Sequence, residues 1–198
     1  MSRDNRATAG DLAADSPAAD SLAADRPAMI VSPPRDPQQP YRICVVCLGN
    51  ICRSPMAERV LRAELDRAGL GGRVMVDSAG TGDWHLGEEM DSRARAELSR
   101  RGYDGSGHEA RQIQQDWLAR YDLMLAMDRA NLANLRQFAA GDLGLANRIR
   151  LMRSFDPASP GGAEVPDPYD GSPADYVEVF DLVEAAAKEL ASRLAAEL

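Results

Sequence analysis

Residues 41–56 read YRICVVCLGNICRSPM, and this stretch decides the fold. Arg42 to Cys47 (RICVVC) is a strand-length run, apolar after its first residue, of the kind expected where both faces of a sheet are covered. The polar loop LGNICRS follows, and Pro55 then opens a helical pattern with Met56, Val60, Leu61 and Leu65 on one face, stopped by Gly69. Proline at the first helical position and glycine just past the last fit the asymmetry of helix ends. The same alternation continues downstream. Val74 to Ser78 reads as a second strand, and Asp91 as the N-cap of a helix through Arg101, closed by Gly102. Tyr121 to Met127 reads as a third strand and Arg129 to Ala139 as a helix. Arg148 to Met152 is a weaker fourth strand because arginines alternate through it, and Asp175 to Leu198 is a long amphipathic helix. Strands alternating with helices imply right-handed crossovers, so the fold class is α/β: a single doubly wound domain, a four-stranded parallel sheet with helices on both faces.

Residues 1–40 differ in kind. An Ala-Ala-Asp unit recurs every five residues through DLAADSPAADSLAADRP, a period that suits neither a helix face nor a strand, and six prolines punctuate the segment. Its apolar surface is too small to offset the entropy of ordering it. A disordered Ala/Asp/Pro-rich extension over 1–40 and a folded domain over 41–198 are therefore expected, with a docking arm as the alternative for the extension. The whole chain has 198 residues and a formal net charge of -8. That balance excludes dedicated binding to nucleic acid or to an anionic membrane, both of which need clustered positive charge. No run of about 18 apolar residues is present to span a bilayer, and no basic start leads into an apolar stretch as in a signal peptide. Three cysteines cannot all pair within one chain, so they read as thiols in the cytoplasm, a leaderless export route aside. The abundance of Arg and Ala beside a single lysine, Lys188, is the codon signature of a GC-rich bacterial genome.

In an open α/β sheet the ligand site lies beyond the carboxyl ends of the strands, and the first strand delivers Cys47 there. The loop after it can curl its backbone N–H groups around an anion, and the helix that follows points its positive dipole end into the same space. Arg53 adds a planar fork for two oxygens of a tetrahedral dianion. Two other phosphate cradles are excluded. A Walker loop needs a lysine that the region lacks, and GTGDWH at Gly80 breaks the dinucleotide fingerprint at its third glycine. A cysteine at the bottom of the cradle with an arginine six positions on is instead the arrangement of an activated thiolate nucleophile facing a bound phosphate monoester. Release of a phenolate calls for a general acid. Asp128, Asp156 and Asp167 are the candidates at the other strand ends, and spacing alone does not choose between them. Taken residue by residue, Cys44 reads as a small buried hydrophobe and His85 as a rim residue of no fixed role. Two histidines are too few to point to a metal site.

The motifs VCLGNICRSPMAE, DSAGTGDWHLG, HEARQI, YDLMLAMDRAN and VPDPYDG, in this order, resemble the low-molecular-weight protein tyrosine phosphatases from about Ile43 to the last helix. The resemblance implies a cytoplasmic, monomeric hydrolase of phosphotyrosine in protein substrates, without cofactor or metal. Cys47 is implied as nucleophile, Arg53 as phosphate clamp and Asp167 as general acid, which selects Asp167 over Asp156. Leu48, Gly49, Asn50, Ile51, Cys52 and Ser54 correspond to the phosphate-binding loop, with the Ser54 hydroxyl on the thiolate. Ser78 and His108, with Asn50, resemble the buried polar support of that loop. Trp84 and Tyr169 resemble the walls of the substrate cleft, and Cys52 the partner of Cys47 in a reversible disulfide. Ile51 stands where related arginine phosphatases carry threonine.

Asp170 departs from the family's common second tyrosine after DPY and places negative charge at the cleft rim, which disfavours acidic phosphopeptides. Glu88-Glu89-Met90 replaces a more usual proline-containing approach to the second helix, and the long N-terminal extension is not ordinary in the family. The rival activities are phosphoarginine hydrolysis, arsenate reduction and phospholigand binding without turnover. Arsenate reductases of this fold relay a disulfide to downstream cysteines, and no cysteine follows Cys52.

Overall fold

The computed structural model describes residues 31–198. Four strands, β1 (Tyr41–Cys47), β2 (Val74–Gly80), β3 (Leu123–Ala126) and β4 (Ile149–Leu151), form one sheet in the order β2-β1-β3-β4. All neighbours pair in parallel, as Cys47 with Gly80 and Val46 with Ala126 illustrate. Helices α1 (Arg53–Arg67), α2 (Ser92–Arg100) and α5 (Pro173–Glu197) cover one face, while α3 (Arg129–Phe138) and the short α4 (Leu143–Ala146) cover the other. The period-two alternation of β1 feeds both cores. Ile43, Val45 and Cys47 face the α1/α5 side; Cys44 and Val46 face the α3 side, and all five are buried. Because β1 has β2 on one side and β3 on the other, the loop after it opens at the switch point of the sheet, where such folds bind ligands.

Local chemistry accounts for the element ends. Asp91 caps α2 by accepting from the Arg93 backbone N–H at 2.8 Å, as its sequence position implies. Asp128 caps α3 in the same way, accepting from Asn131 N at 2.7 Å. Helix α1 begins at Arg53, two residues before Pro55. The proline thus sits third in the helix, where its missing N–H is still among those without an intrahelical partner. Helix α5 starts at Pro173, ahead of the expected Asp175. Asp175 is instead the third residue of the helix and closes a capping box, taking the Ser172 N–H at 2.6 Å and its hydroxyl at 2.8 Å. Strand β2 runs two residues past Ser78 to Gly80, and two 3-10 turns, Gln115–Arg120 and Met152–Phe155, have no signature in the periodicity.

The domain boundary moves. Residues 31–40 pack on the domain, which begins at Val31. Val31 is 2% exposed within the α1/α5 core, and Tyr41 Oη donates to Ser32 O at 2.9 Å. The buried carboxylate of Asp122 takes Arg35 N at 2.6 Å, Arg35 Nε at 3.1 Å and Arg42 N at 2.7 Å, fastening this strap to β1. Average composition hides such anchors because two residues, Val31 and Arg35, supply them. The Ala-Ala-Asp repeats lie outside the described residues. Among those described, no helix is long and apolar enough to cross a membrane.

Candidate active site

The loop between β1 and α1 wraps around the Cys47 sulfur. Asn50 N donates to Cys47 Sγ at 3.2 Å, and Ser54 Oγ lies 3.0 Å from the same sulfur. Ser54 Oγ already accepts from Asn50 Nδ2 at 2.9 Å, which leaves its proton for Sγ or for Ala79 O at 3.3 Å. Helix α1 starts immediately behind, so its unpaired first-turn N–H groups and positive dipole end also favour negative charge at the sulfur. Cys47 itself is 2% exposed.

Holding this loop requires Asn50 at φ 57, a left-handed conformation that asparagine tolerates better than most residues. Its side chain repays the strain with three bonds: Nδ2 to Ser54 Oγ and to Ser78 Oγ at 3.0 Å, and Oδ1 from Arg111 N at 2.8 Å. His108 Nε2 donates to Asn50 O at 2.6 Å. Burial lowers the His108 pKa, so the neutral Nε2–H form is favoured. Ser78, 0% exposed, donates in turn to Glu58 on α1, and Glu58 pairs with Arg62 at 2.8 Å. The network therefore runs from the surface to the loop. Gly80 completes the support by its lack of a side chain. A Cβ there would stand 2.7 Å from Leu48 O and 3.1 Å from Asn50 N.

Arg53 is 2% exposed and spans two carboxylates. Its Nη1 donates to Asp128 Oδ2 at 2.7 Å and its Nη2 to Asp167 Oδ2. Of the three aspartates left open by spacing, two thus reach the site. Asp156 does not: it is buried in its own turn, with Arg153 at 3.2 Å and the Ala158 N–H at 2.9 Å. Asp167 is the one that both faces the guanidinium and lines the cleft, with its side chain 42% exposed. In the sequence Asp128 was legible only as an acid candidate; its cap on α3 and its hold on Arg53 are facts of the structure.

The cleft above Cys47 holds about 380 Å³. Leu48, Gly49, Ile51, Cys52 and Arg53 line it with Cys47, together with Trp84, Tyr169 and Asp170. His85 joins them. Its ring lies 6.0 Å from that of Tyr169 and it pairs with Glu88 at 2.8 Å. Trp84 is 70% exposed and folds back on Gly82, where a Cβ would fall 1.8 Å from the indole. Cys52 has a different environment from Cys47. Burial pushes its thiol up to about 12, and Tyr176 Oη lies 3.6 Å from its sulfur. Cys44 is fully buried on the opposite face and its thiol is likewise raised by burial, consistent with a packing role. Sequence reasoning missed Glu58 and Gly80. A carboxylate placed among the apolar positions of α1 was the available signal for the first; nothing local marks the second.

Residues 42–198 match the family model described as low molecular weight phosphotyrosine protein phosphatase. A low molecular weight protein-tyrosine-phosphatase of Streptomyces coelicolor is 52% identical over 151 residues, which cover 76% of this chain and 91% of the relative. Among solved structures, YfkJ of Bacillus subtilis superposes with a TM-score of 0.74 at 33% identity, covering 80% of this chain and 97% of the other. Vibrio vulnificus Wzb, solved in complex with benzylphosphonate, gives 0.66 at 29% identity, covering 77% and 97%. Both the loop geometry and the length of these matches lead to one conclusion: the chain belongs to the low molecular weight phosphotyrosine protein phosphatases, a family of hydrolases.

Proposed function

We propose that this protein hydrolyses phosphotyrosine in protein substrates through a cysteinyl-phosphate intermediate, with Cys47 as nucleophile, Arg53 as phosphate clamp and Asp167 as general acid and base. The observation that carries this reading is the convergence on one cleft of a sulfur ringed by donors, a buried guanidinium and an aspartate held by that guanidinium. The substrate phosphoryl group enters the loop and takes over guanidinium contacts made here by Asp128 and Asp167. The sulfur attacks phosphorus; the S–P bond forms as the bond to the phenolic oxygen breaks, and Asp167 delivers its proton to that oxygen. A phenol ionises only near pH 10, so this proton matters. Asp167 then takes a proton from water, whose oxygen attacks phosphorus, and the S–P bond breaks to release inorganic phosphate and the thiolate.

Trp84 and Tyr169 give the cleft aromatic sides suited to a phenyl ring. The solved relative bound to benzylphosphonate carries a ligand of the same shape. Ile51 supplies an apolar floor position, which favours phosphotyrosine over phosphoarginine. Cys52, at the floor of the same cleft, is the partner we assign to Cys47 in a reversible disulfide, formed when a peroxide takes two electrons from the two thiols and is itself reduced.

The test is a rapid-mixing experiment with p-nitrophenyl phosphate. A burst of nitrophenol followed by steady turnover is expected, together with acid-stable phosphorylation of Cys47 in Asp167→Asn and loss of both in Cys47→Ser. Tight phosphopeptide binding with no turnover would instead make the protein a binding module.

A further inference from the structure

The start of α2 is bolted to the phosphate loop, since Asp91 N donates to Ile51 O at 2.9 Å. From this fixed point the Arg93 side chain reaches across toward the segment that bears Asp167. Its Nε and Nη2 grip the two oxygens of Asp91 at 3.1 and 2.9 Å, which sets the plane of the guanidinium. That guanidinium lies 4.8 Å from the ring centre of Tyr176 and 5.9 Å from that of Tyr169, within the reach of cation–π attraction. Its Nη1 also points to Gly171 O at 3.4 Å. Tyr176 in turn lies against Cys52 of the phosphate loop. One cation therefore touches both the platform under the nucleophile and the segment carrying the aspartate.

That segment has few other holds on the platform. Its far end is fixed to α5 by the Ser172–Asp175 capping box, and a turn closes it internally through Gly171 N to Pro168 O at 2.9 Å. Tyr169 N donates to Asp167 Oδ1 at 3.2 Å, so the backbone under the Tyr169 ring and the Asp167 carboxylate move as one unit. Arg53 also holds Asp167, but a bound phosphoryl group would compete for that guanidinium. Arg93 carries no such conflict. Its partners, Asp91, Tyr169, Gly171 and Tyr176, all lie outside the phosphate loop.

We propose that Arg93 is a positioning residue for the general acid: by pinning Tyr169 and Gly171 to the Asp91–Tyr176 platform, it holds the Asp167 carboxylate at the leaving oxygen during phosphoryl transfer. This rests on the assignment of Asp167 made above. Misplacing an acid costs most when the leaving group needs a proton most, and nothing when it does not. A residue that merely stabilises the fold would lower activity on all substrates alike.

The experiment measures kcat/KM for a series of aryl phosphates running from dinitrophenyl to phenyl in the full-length protein. Arg93→Ala is expected to lower the phenyl value about tenfold while changing the dinitrophenyl value less than about twofold, a steeper dependence on leaving-group pKa. In an Asp167→Asn background the same substitution should have almost no further effect on the phenyl substrate, because the acid it positions is gone. Should Arg93→Ala not fold, Arg93→Met, which keeps the length and packing of the stem, replaces it with the same expectation. An equal loss on every substrate, no loss, or an undiminished effect in the Asp167→Asn background would overturn the proposal. Asp167→Asn alone separates the two readings. If it leaves the leaving-group dependence unchanged, the assignment of Asp167 fails and this inference falls with it; if it steepens the dependence and Arg93→Ala does not, only the inference fails.

Discussion

Adding one methyl group at Gly80 tests whether the phosphate loop owes its shape to a missing side chain one strand away. In Gly80→Ala the new Cβ would stand 2.7 Å from Leu48 O, about 0.7 Å inside the 3.4 Å at which ordinary contacts begin, and 3.1 Å from both Asn50 N and Gly49 C. All three are backbone atoms, so no rotamer change relieves the overlap. Retreat of Gly80 is also blocked. Its N–H donates to Arg111 O at 2.7 Å, its carbonyl accepts from Ile113 N at 2.8 Å, and its neighbour Thr81 N bonds Cys47 O at 2.9 Å. The phosphate loop must therefore give way, and the Asn50 N–H that bonds Cys47 Sγ moves with it. Overpacking of this kind costs about 1–3 kcal/mol. A displacement approaching 1 Å at a reacting centre costs about 10²-fold, so a loss of about 10- to 100-fold in kcat/KM is expected. The assay is p-nitrophenyl phosphate turnover, with inorganic phosphate as competitive inhibitor and thermal melting alongside. Turnover and phosphate inhibition both equal to those of the parent protein would refute the reasoning, because they would mean the loop tolerates the methyl group.

Other expectations follow from the same geometry. Burial holds the His108 pKa below its ordinary value of about 6.5, so the unfolded chain binds a proton on acidification before the native one does. The stability that neutral His108 contributes is thus present above pH about 6.5 and is lost as pH falls toward its native pKa; urea midpoints across this range should show the slope, and His108→Asn should flatten it. A chain beginning at Tyr41 should be less stable to urea than one beginning at Val31 by about 2–4 kcal/mol, since it lacks the buried Val31 and leaves the Asp122 carboxylate without Arg35. At the cleft rim, Asp170→Tyr should raise kcat/KM for phosphopeptides with acidic flanks by a few-fold at low salt and leave neutral ones almost unchanged, with the difference shrinking as ionic strength rises.

Much of the architecture was legible because it is written in local chemistry. The alternation of RICVVC, the cap at Asp91 and the long stripe from Tyr176 to Leu194 each report a local preference, and the elements appear within a residue or two of those positions. The strap of residues 31–40 was misassigned because its order depends on Asp122, about 80 positions away. The 3-10 turns were missed because they are short and repeat nothing, although Leu118, Met152 and Phe155 are buried. At the site, Cys47 and Arg53 share one short loop and announce themselves together. Spacing alone left Asp128, Asp156 and Asp167 open, and the resemblance of the DPY motif singled out Asp167; the structure adds that Asp128 and Asp167 meet the Arg53 guanidinium while Asp156 does not.

By itself, then, the sequence determined which chemistry the chain carries: a thiol and a guanidinium six positions apart, placed after a strand and before a helix. Peptide geometry alone suffices to put those two in one concave loop. What only the tertiary structure decided is what surrounds them: the empty space at Gly80, the extension of the Asn50–Ser78 support to Glu58, and the pairing of Arg53 with two aspartates from separate loops. Those contacts join segments about 20 to 115 residues apart, and nothing short of the packed sheet brings them within reach.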